Sequence, residues 1–244
     1  MKIEKITKIK GVERFYDEVE EKGLAKISKY VFNSKEAGCT LFNLRALRDD
    51  PMFRMYDGKY VRLFVDGKLM MSDTAMERMS NHDIIEKAKG KVLIAGLGLG
   101  LILPPILEKE EAIEVVIIEK YQDVIDLVGP KFDNPKLKII CADIFEYTPK
   151  KKFDTIYFDI WPEICSDNLN EIETLEEKYQ PFLKKNGYMN SWFKERLIIK
   201  KGIEDGEICE DCFKHIDECE CEACEYCCEK LNEFGDCDYC DDWD

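Results

Sequence analysis

The sequence predicts an α/β protein, a three-layer sandwich in which helices cover a mostly parallel sheet. Three observations lead there. Lys91-Val-Leu-Ile-Ala-Gly-Leu-Gly-Leu-Gly100 reads as a buried apolar strand running into a loop with glycines at 96, 98 and 100. Glu114-Val-Val-Ile-Ile-Glu119 is a second buried strand that ends in a carboxylate about 20 residues further on. From there to Phe193, short apolar runs alternate with helical stretches, the pattern of parallel strands joined by crossovers.

Each element has its own reason. Up to residue 36, lysines and acids alternate around Ile, Val, Phe and Tyr, with Val12, Phe15, Tyr16 and Val19 at helical spacing, so an amphipathic helix or two is expected. Tyr60–Val65 and Lys68–Met71 are strand-like runs joined by Asp66-Gly67, a strong hairpin signal. Ser72 to Lys89 reads as helix leading into the strand Val92–Ala95. Beyond the glycines, Pro104-Pro105 fits a helix only in its first turn.

Asp123–Val128 is a short helix stopped at Gly129-Pro130. Lys136–Ala142 is a third strand ending at Asp143, and Phe153–Phe158 a fourth, ending at Asp159-Ile-Trp-Pro162. Asn168 to Lys185 reads as a long helix closed by Asn186-Gly187, before a fifth strand, Tyr188–Phe193. Composition then breaks near Gly202. The expected organisation is a helical and β-hairpin extension (1–89), a parallel-sheet domain (90–203) and an acidic cysteine-rich tail (204–244).

The net charge of −15 belongs to that tail. Of 51 acids, 17 lie from Glu204 onward against two of the 36 bases, which leaves 34 of each in residues 1–203. The tail is therefore not expected to grip nucleic-acid phosphates. No apolar run is long enough to span a membrane, and no signal-peptide pattern opens the sequence, so a cytoplasmic protein is expected. Nine of the 12 cysteines crowd into Cys209–Cys240, whereas Cys39, Cys141 and Cys165 read as small buried hydrophobes.

A strand, a glycine turn and a helix start bring backbone N–H groups up to a nucleotide-like ligand. Here the third glycine falls one position earlier than in the dinucleotide fingerprint, and the shorter Gly96-x-Gly98-x-Gly100 turn suits a ligand without a pyrophosphate. With acids closing the strands, this Rossmann-like arrangement resembles a class I S-adenosylmethionine-dependent methyltransferase. The hairpin Leu63–Asp73 ahead of the glycine loop looks like the entry to the spermidine synthase-like branch. The resemblance spans roughly residues 55–195.

It implies that Gly96, Gly98 and Gly100 hold the methionine portion of S-adenosylmethionine and that Glu119 accepts hydrogen bonds from both ribose hydroxyls. Asp143 would take the adenine amino group beside the backbone of Ile144. Asp159 would orient the nucleophile of a small-molecule substrate, an amine or another acceptor, with Trp161 and Pro162 shaping that wall. Homodimer formation is a further implied trait. Each residue also has a plainer reading: the glycines as a structural turn, Glu119 as a solvated strand end, Asp143 and Asp159 as caps, Trp161 as core.

Polyamine synthases of that branch carry an acid inside the glycine loop, where this chain has Ala-Gly-Leu-Gly-Leu-Gly. Ungapped, Met70, Ala75, Met76 and Met79 replace their active-site glutamine, two acids and tyrosine, unless Glu77 or Asp83 substitutes through a gap. Aminopropyl transfer therefore ranks below methyl transfer. The two strands that usually complete such a sheet also lack a counterpart beyond Leu197-Ile-Ile199. A non-catalytic scaffold is the reading from another class.

Cys209-x-x-Cys212, Cys221-x-x-Cys224-x-x-Cys227 and Cys237-x-x-Cys240 have the spacing of zinc knuckles. Cys209/Cys212 could pair with Cys224/Cys227, or Cys221/Cys224 with Cys237/Cys240. His215 is a further candidate ligand, though a lone histidine is more often a polar surface residue. Such a tail is expected to fold only around metal and to offer a surface to a protein partner.

Overall fold

The computed structural model describes residues 12–36, 53–210 and 213–218. The chain divides into two compact units, residues 1–194 and 195–244. No helix of the described residues is long and apolar enough to cross a membrane.

The first unit contains two sheets. Strands β1 (Val19–Lys22), β2 (Ala25–Phe32), β3 (Gly58–Val65) and β4 (Lys68–Ser72) form an antiparallel meander. From residue 12 to 36, where the chain is described, the expected helices are thus not there. Among the described residues that stretch holds one 3-10 turn, Glu13–Phe15, and two strands. Val12 and Tyr16 are buried, as a helical face requires, but Val19 is 55% exposed and Gly23, at φ +54°, turns the chain back on itself. Alternating burial of Ala25 and Ile27 then marks a strand. The hairpin at Asp66-Gly67 forms as expected, both residues taking the positive φ that a tight two-residue turn requires.

Two short helices follow, α1 (Ala75–Ser80) and α2 (His82–Lys87). The second sheet contains β5 (Gly90–Ala95), β6 (Ala112–Glu119), β7 (Leu137–Cys141), β8 (Phe153–Phe158) and β9 (Leu183–Ser191). All neighbours are parallel, in the order β7-β6-β5-β8-β9, a Rossmann-like arrangement. Val92 to Ala95 of β5 are wholly buried, as a central strand covered on both faces must be. Its crossovers are α3 (Leu103–Leu107, with prolines in the first turn), α4 (Gln122–Val128) and α5 (Asn168–Tyr179). Right-handed crossovers from a central β5 put α3 and α4 on one face and α5 on the other. The chain reverses direction between β5 and β8, where such sheets open a crevice at their carboxyl ends. Helix α4 packs against β6 and β7 and also against β1 and β2, which brings the antiparallel sheet onto the same body.

Two further expectations are corrected, on the end of α5 and on the cysteines. Helix α5 ends at Tyr179 instead of Lys185, because Pro181 cannot continue it; a 3-10 turn follows and β9 begins at Leu183, passing through Asn186 at φ +63°. Leu197–Ile199 lies in a helix, α6 (Lys194–Glu204), so among the described residues the parallel sheet stops at five strands. Cys141 is exposed at the end of the edge strand β7, and Cys165 is half-buried; neither is a core residue, while Cys39 lies outside the described residues.

In the second unit, α6 is followed by a tight turn. Cys209 N–H donates to Lys214 O (2.9 Å), Phe213 N–H to Cys209 O (2.9 Å) and Ile216 N–H to Glu207 O (2.8 Å).

Glycine is needed most at Gly96, which has φ +94° and whose missing Cβ would collide with the backbone carbonyl oxygen of Asp159. Gly67 has a similar φ, +73°, with open space around it. Gly67→Ala should therefore cost only the left-handed penalty of about 1–2 kcal/mol. Gly96→Ala should cost clearly more, on the order of 3 kcal/mol or above, because backbone must move. Urea denaturation of the two variants beside the parent checks this ordering.

Candidate functional site

A cavity of about 530 Å³ lies at the carboxyl ends of β5, β6 and β8, within the range typical of small-molecule sites. Its walls come from the glycine loop, the ends of β6, β7 and β8, helix α1 and the β3–β4 hairpin.

Glu119 ends β6 at the cavity wall and is only 6% exposed. Its Oε2 accepts the Leu97 N–H (2.9 Å) and its Oε1 the Tyr121 N–H (2.8 Å), so the carboxylate is pinned between the glycine loop and the start of α4. Burial pushes its pKa up, while these backbone donors pull the other way. Each oxygen still has a second lone pair to offer a ligand hydroxyl. Gly96 and Gly98 line the cavity; Gly100 does not. Its φ of +68° and the ring of Phe132, packed where a Cβ would stand, explain that third glycine by local packing.

Asp143 and Ile144, beyond β7, also line the cavity. Asp143 is a cap as well: Oδ1 accepts the Phe145 N–H (2.9 Å) and Oδ2 the Lys120 ammonium (2.9 Å), and Lys120 is the main reason its pKa is lowered. The loop after it is fastened by Tyr179 of α5, whose hydroxyl donates to Ile144 O and Tyr147 O (both 2.9 Å).

The opposite end of the cavity is acidic and aromatic. Asp159 follows β8, its N–H bonded to Ala95 O (2.9 Å), and burial pushes its carboxyl up to about 7. Glu77 on α1 is 7% exposed; burial first, then the charge of Asp159, raises its pKa well above the usual range. Asn81 lies one turn further, its Nδ2 donating to Glu77 O (3.0 Å), while its buried Oδ1 accepts no hydrogen bond from the described residues. Trp161 and Trp192 both line the space. Their indole N–H groups are engaged elsewhere, with Glu171 Oε2 (2.7 Å) and Ser80 Oγ (2.9 Å), so what they present to a ligand is ring surface.

Glu77, Asn81 and Trp192 are the residues that the sequence did not single out as a site. The gapped alternative naming Glu77 was the one available signal. Asp83, the other candidate in that gap, does not line the cavity. Lys68 and Lys120 are the cations on its wall, and both are paired with acids, Lys68 with Glu163 (3.0 Å) and Lys120 with Asp143.

Of the cysteines proposed for zinc, Cys209 is described and half-buried; Cys212, Cys221, Cys224, Cys227, Cys237 and Cys240 lie outside the described residues. Among the described residues no group of three or more His, Cys, Asp or Glu side chains could hold a metal ion.

No protein-family profile matches the chain, and no curated protein matches it. Among solved structures it is similar to a spermidine synthase from Thermotoga maritima, at 19% identity and TM-score 0.44, over 74% of this chain and 59% of that one. It is also similar to a DhpI–SAH complex, at 20% identity and TM-score 0.37, over 48% of this chain and 52% of that one. A third is the glycopeptide N-methyltransferase MtfA complexed with sinefungin, at 18% identity and TM-score 0.36, over 46% and 47%. The chain spans about half to three-fifths of the length of these proteins.

A raised carboxyl pKa has a consequence for stability. The folded chain holds the Asp159 proton more tightly than the unfolded chain does, so folding loses stability as pH rises from about 4 to about 7. In the ligand-free protein, Asp159→Asn should therefore melt higher than the parent at pH 8, with the gap closing towards pH 4. Thermal melts at several pH values read this directly.

Proposed function

We propose that the chain is an S-adenosylmethionine-dependent methyltransferase acting on a small cationic amine. The observation that carries this reading is Glu119, a buried carboxylate locked against the glycine loop at one end of a cavity whose other end is Asp159. The residues fit such a cofactor: Gly96 and Gly98 line the cavity, Glu119 has lone pairs for a ribose, and Asp143 with Ile144 flanks the place for an adenine. Bound S-adenosylmethionine supplies an electrophilic methyl group on its sulfonium.

Everything else falls to the protein. Two indole faces and the carboxyls of Glu77 and Asp159 suit a cation, and the unpartnered Asn81 Oδ1 suits an ammonium hydrogen. An amine attacks only in its neutral form. Asp159, with its carboxyl pushed up to about 7, is matched to accept the proton that the nitrogen gives up near neutral pH.

Glu77 also favours a second reading, aminopropyl transfer to a diamine, because it restores an acid to the helix where Ala75 and Met76 offer none. Decarboxylated S-adenosylmethionine with putrescine, assayed for methylthioadenosine, separates the two. Zinc in the tail remains part of the proposal. Its basis is the Cys-x-x-Cys spacing of the sequence, and elemental analysis of the purified chain tests it.

Titration calorimetry should show saturable S-adenosylmethionine binding that weakens at least tenfold in Glu119→Ala, as expected when hydrogen bonds to a charged group are lost, about 1.5–3 kcal/mol each. No binding, or equal binding by the variant, would overturn the reading. With an accepted amine, Asp159→Asn should lower kcat by about a hundredfold or more.

A further inference from the structure

Leu99, the fully buried centre of the glycine loop, is held on both sides by residues from outside the parallel sheet. Its carbonyl accepts the Tyr16 hydroxyl at 2.7 Å, and its N–H points to Met71 Sδ at 3.0 Å. Tyr16 lies just before β1 and Met71 lies on β4. Met71 also occupies the space that a side chain on Gly98 would need, with its sulfur nearest, and it lines the cavity.

Tyr16 is itself firmly placed. The Val12 N–H donates to Asp73 Oδ2 (3.1 Å), and Asp73 Oδ1 accepts the Val61 N–H (2.8 Å), which fixes the turn leading to Tyr16 onto β3. Lys131 stands over its ring at 5.5 Å and pairs with Glu20 at 2.7 Å. The neighbouring Phe15 ring packs edge-on against Phe132 at 5.3 Å, the same ring that fills the space under Gly100. Burial, followed by the charges of Glu20 and Asp73, raises the phenol pKa far beyond its usual value, so its hydroxyl remains a donor at working pH.

A loop that lines a ligand cavity gains nothing from being free to move, because ordering it would subtract from affinity. We infer that Tyr16 and Met71 are positioning residues for the cofactor, fixing the Leu97–Leu101 turn in its binding shape before any ligand arrives. The cofactor half of this inference rests on the function proposed above; the loop half does not. Neither residue needs to touch the reacting atoms. The amino-terminal segment thus becomes part of the binding machinery and not just a cover.

The test uses the full chain and two conservative variants. Tyr16→Phe removes one oxygen, and Met71→Leu keeps the bulk and removes the acceptor. In ligand-free protein, amide hydrogen exchange at Gly100 and Leu103, whose N–H groups close the turn onto Leu97 O and Gly100 O, should speed up in both variants. For Tyr16→Phe the change should be about two- to tenfold, the range one neutral hydrogen bond spans. The dissociation constant and KM for S-adenosylmethionine should rise by a similar factor, and for Tyr16→Phe, which lies outside the cavity lining, kcat at saturation should not change. A lowered melting temperature with unaltered loop exchange and unaltered affinity would overturn the inference, since the two residues would then only brace the amino-terminal sheet. Failure of the parent chain to bind S-adenosylmethionine would sink the functional proposal instead, and exchange at the loop would still decide whether these residues set its shape.

Discussion

The site depends on the pair of backbone hydrogen bonds that the Glu119 carboxylate accepts from Leu97 and Tyr121. A carboxylate buried this deeply costs several kcal/mol unless it is satisfied, and here backbone donors from two different loops satisfy it. The same bonds join the end of β6 to the glycine loop and to the start of α4. One side chain therefore fixes the relative placement of the three segments that form this end of the cavity. Gly96 reinforces the arrangement from the other side, since its bare Cα lets the loop come up against the Asp159 carbonyl.

The antiparallel sheet completes the site from above. Its hairpin contributes Met70, Met71 and Lys68 to the cavity, and Leu24 N–H between β1 and β2 is anchored on Asp123 Oδ2 at 2.9 Å, at the start of α4. The parallel sheet alone would leave the crevice open to water. The acidic end of the cavity is buried, and Glu77 and Asp159 both line it, near enough for the Asp159 charge to raise the Glu77 pKa. Two carboxyls with raised pKa values in one apolar space favour a shared proton or a cation between them, which is why a cationic acceptor suits the geometry.

The parallel strands were legible because a central strand covered on both faces must be apolar throughout, as Val92–Ala95 and Val115–Ile118 are. The hairpin was legible through Asp66-Gly67, whose φ values few other pairs adopt. The amino-terminal strands were not, since Val12, Phe15 and Tyr16 repeat at a helical interval although they build only one turn before an extended segment. The end of α5 was signalled by Pro181, a stronger terminator than the Asn186-Gly187 pair that lies within β9. In the site, Glu119 and Asp159 announced themselves as acids closing apolar strands. Glu77 did not, because a glutamate in a short polar helix looks like any solvated residue until long-range packing buries it. Gly100 illustrates the reverse: a glycine within a motif that serves Phe132 and not the cavity.

The most direct measurement is a crystal structure of the full chain with S-adenosylhomocysteine. The expected result is ribose hydroxyls within about 3 Å of both Glu119 oxygens, with the sulfur directed towards Asp159. Density elsewhere, or a Glu119 carboxylate turned away from the sugar, would contradict it.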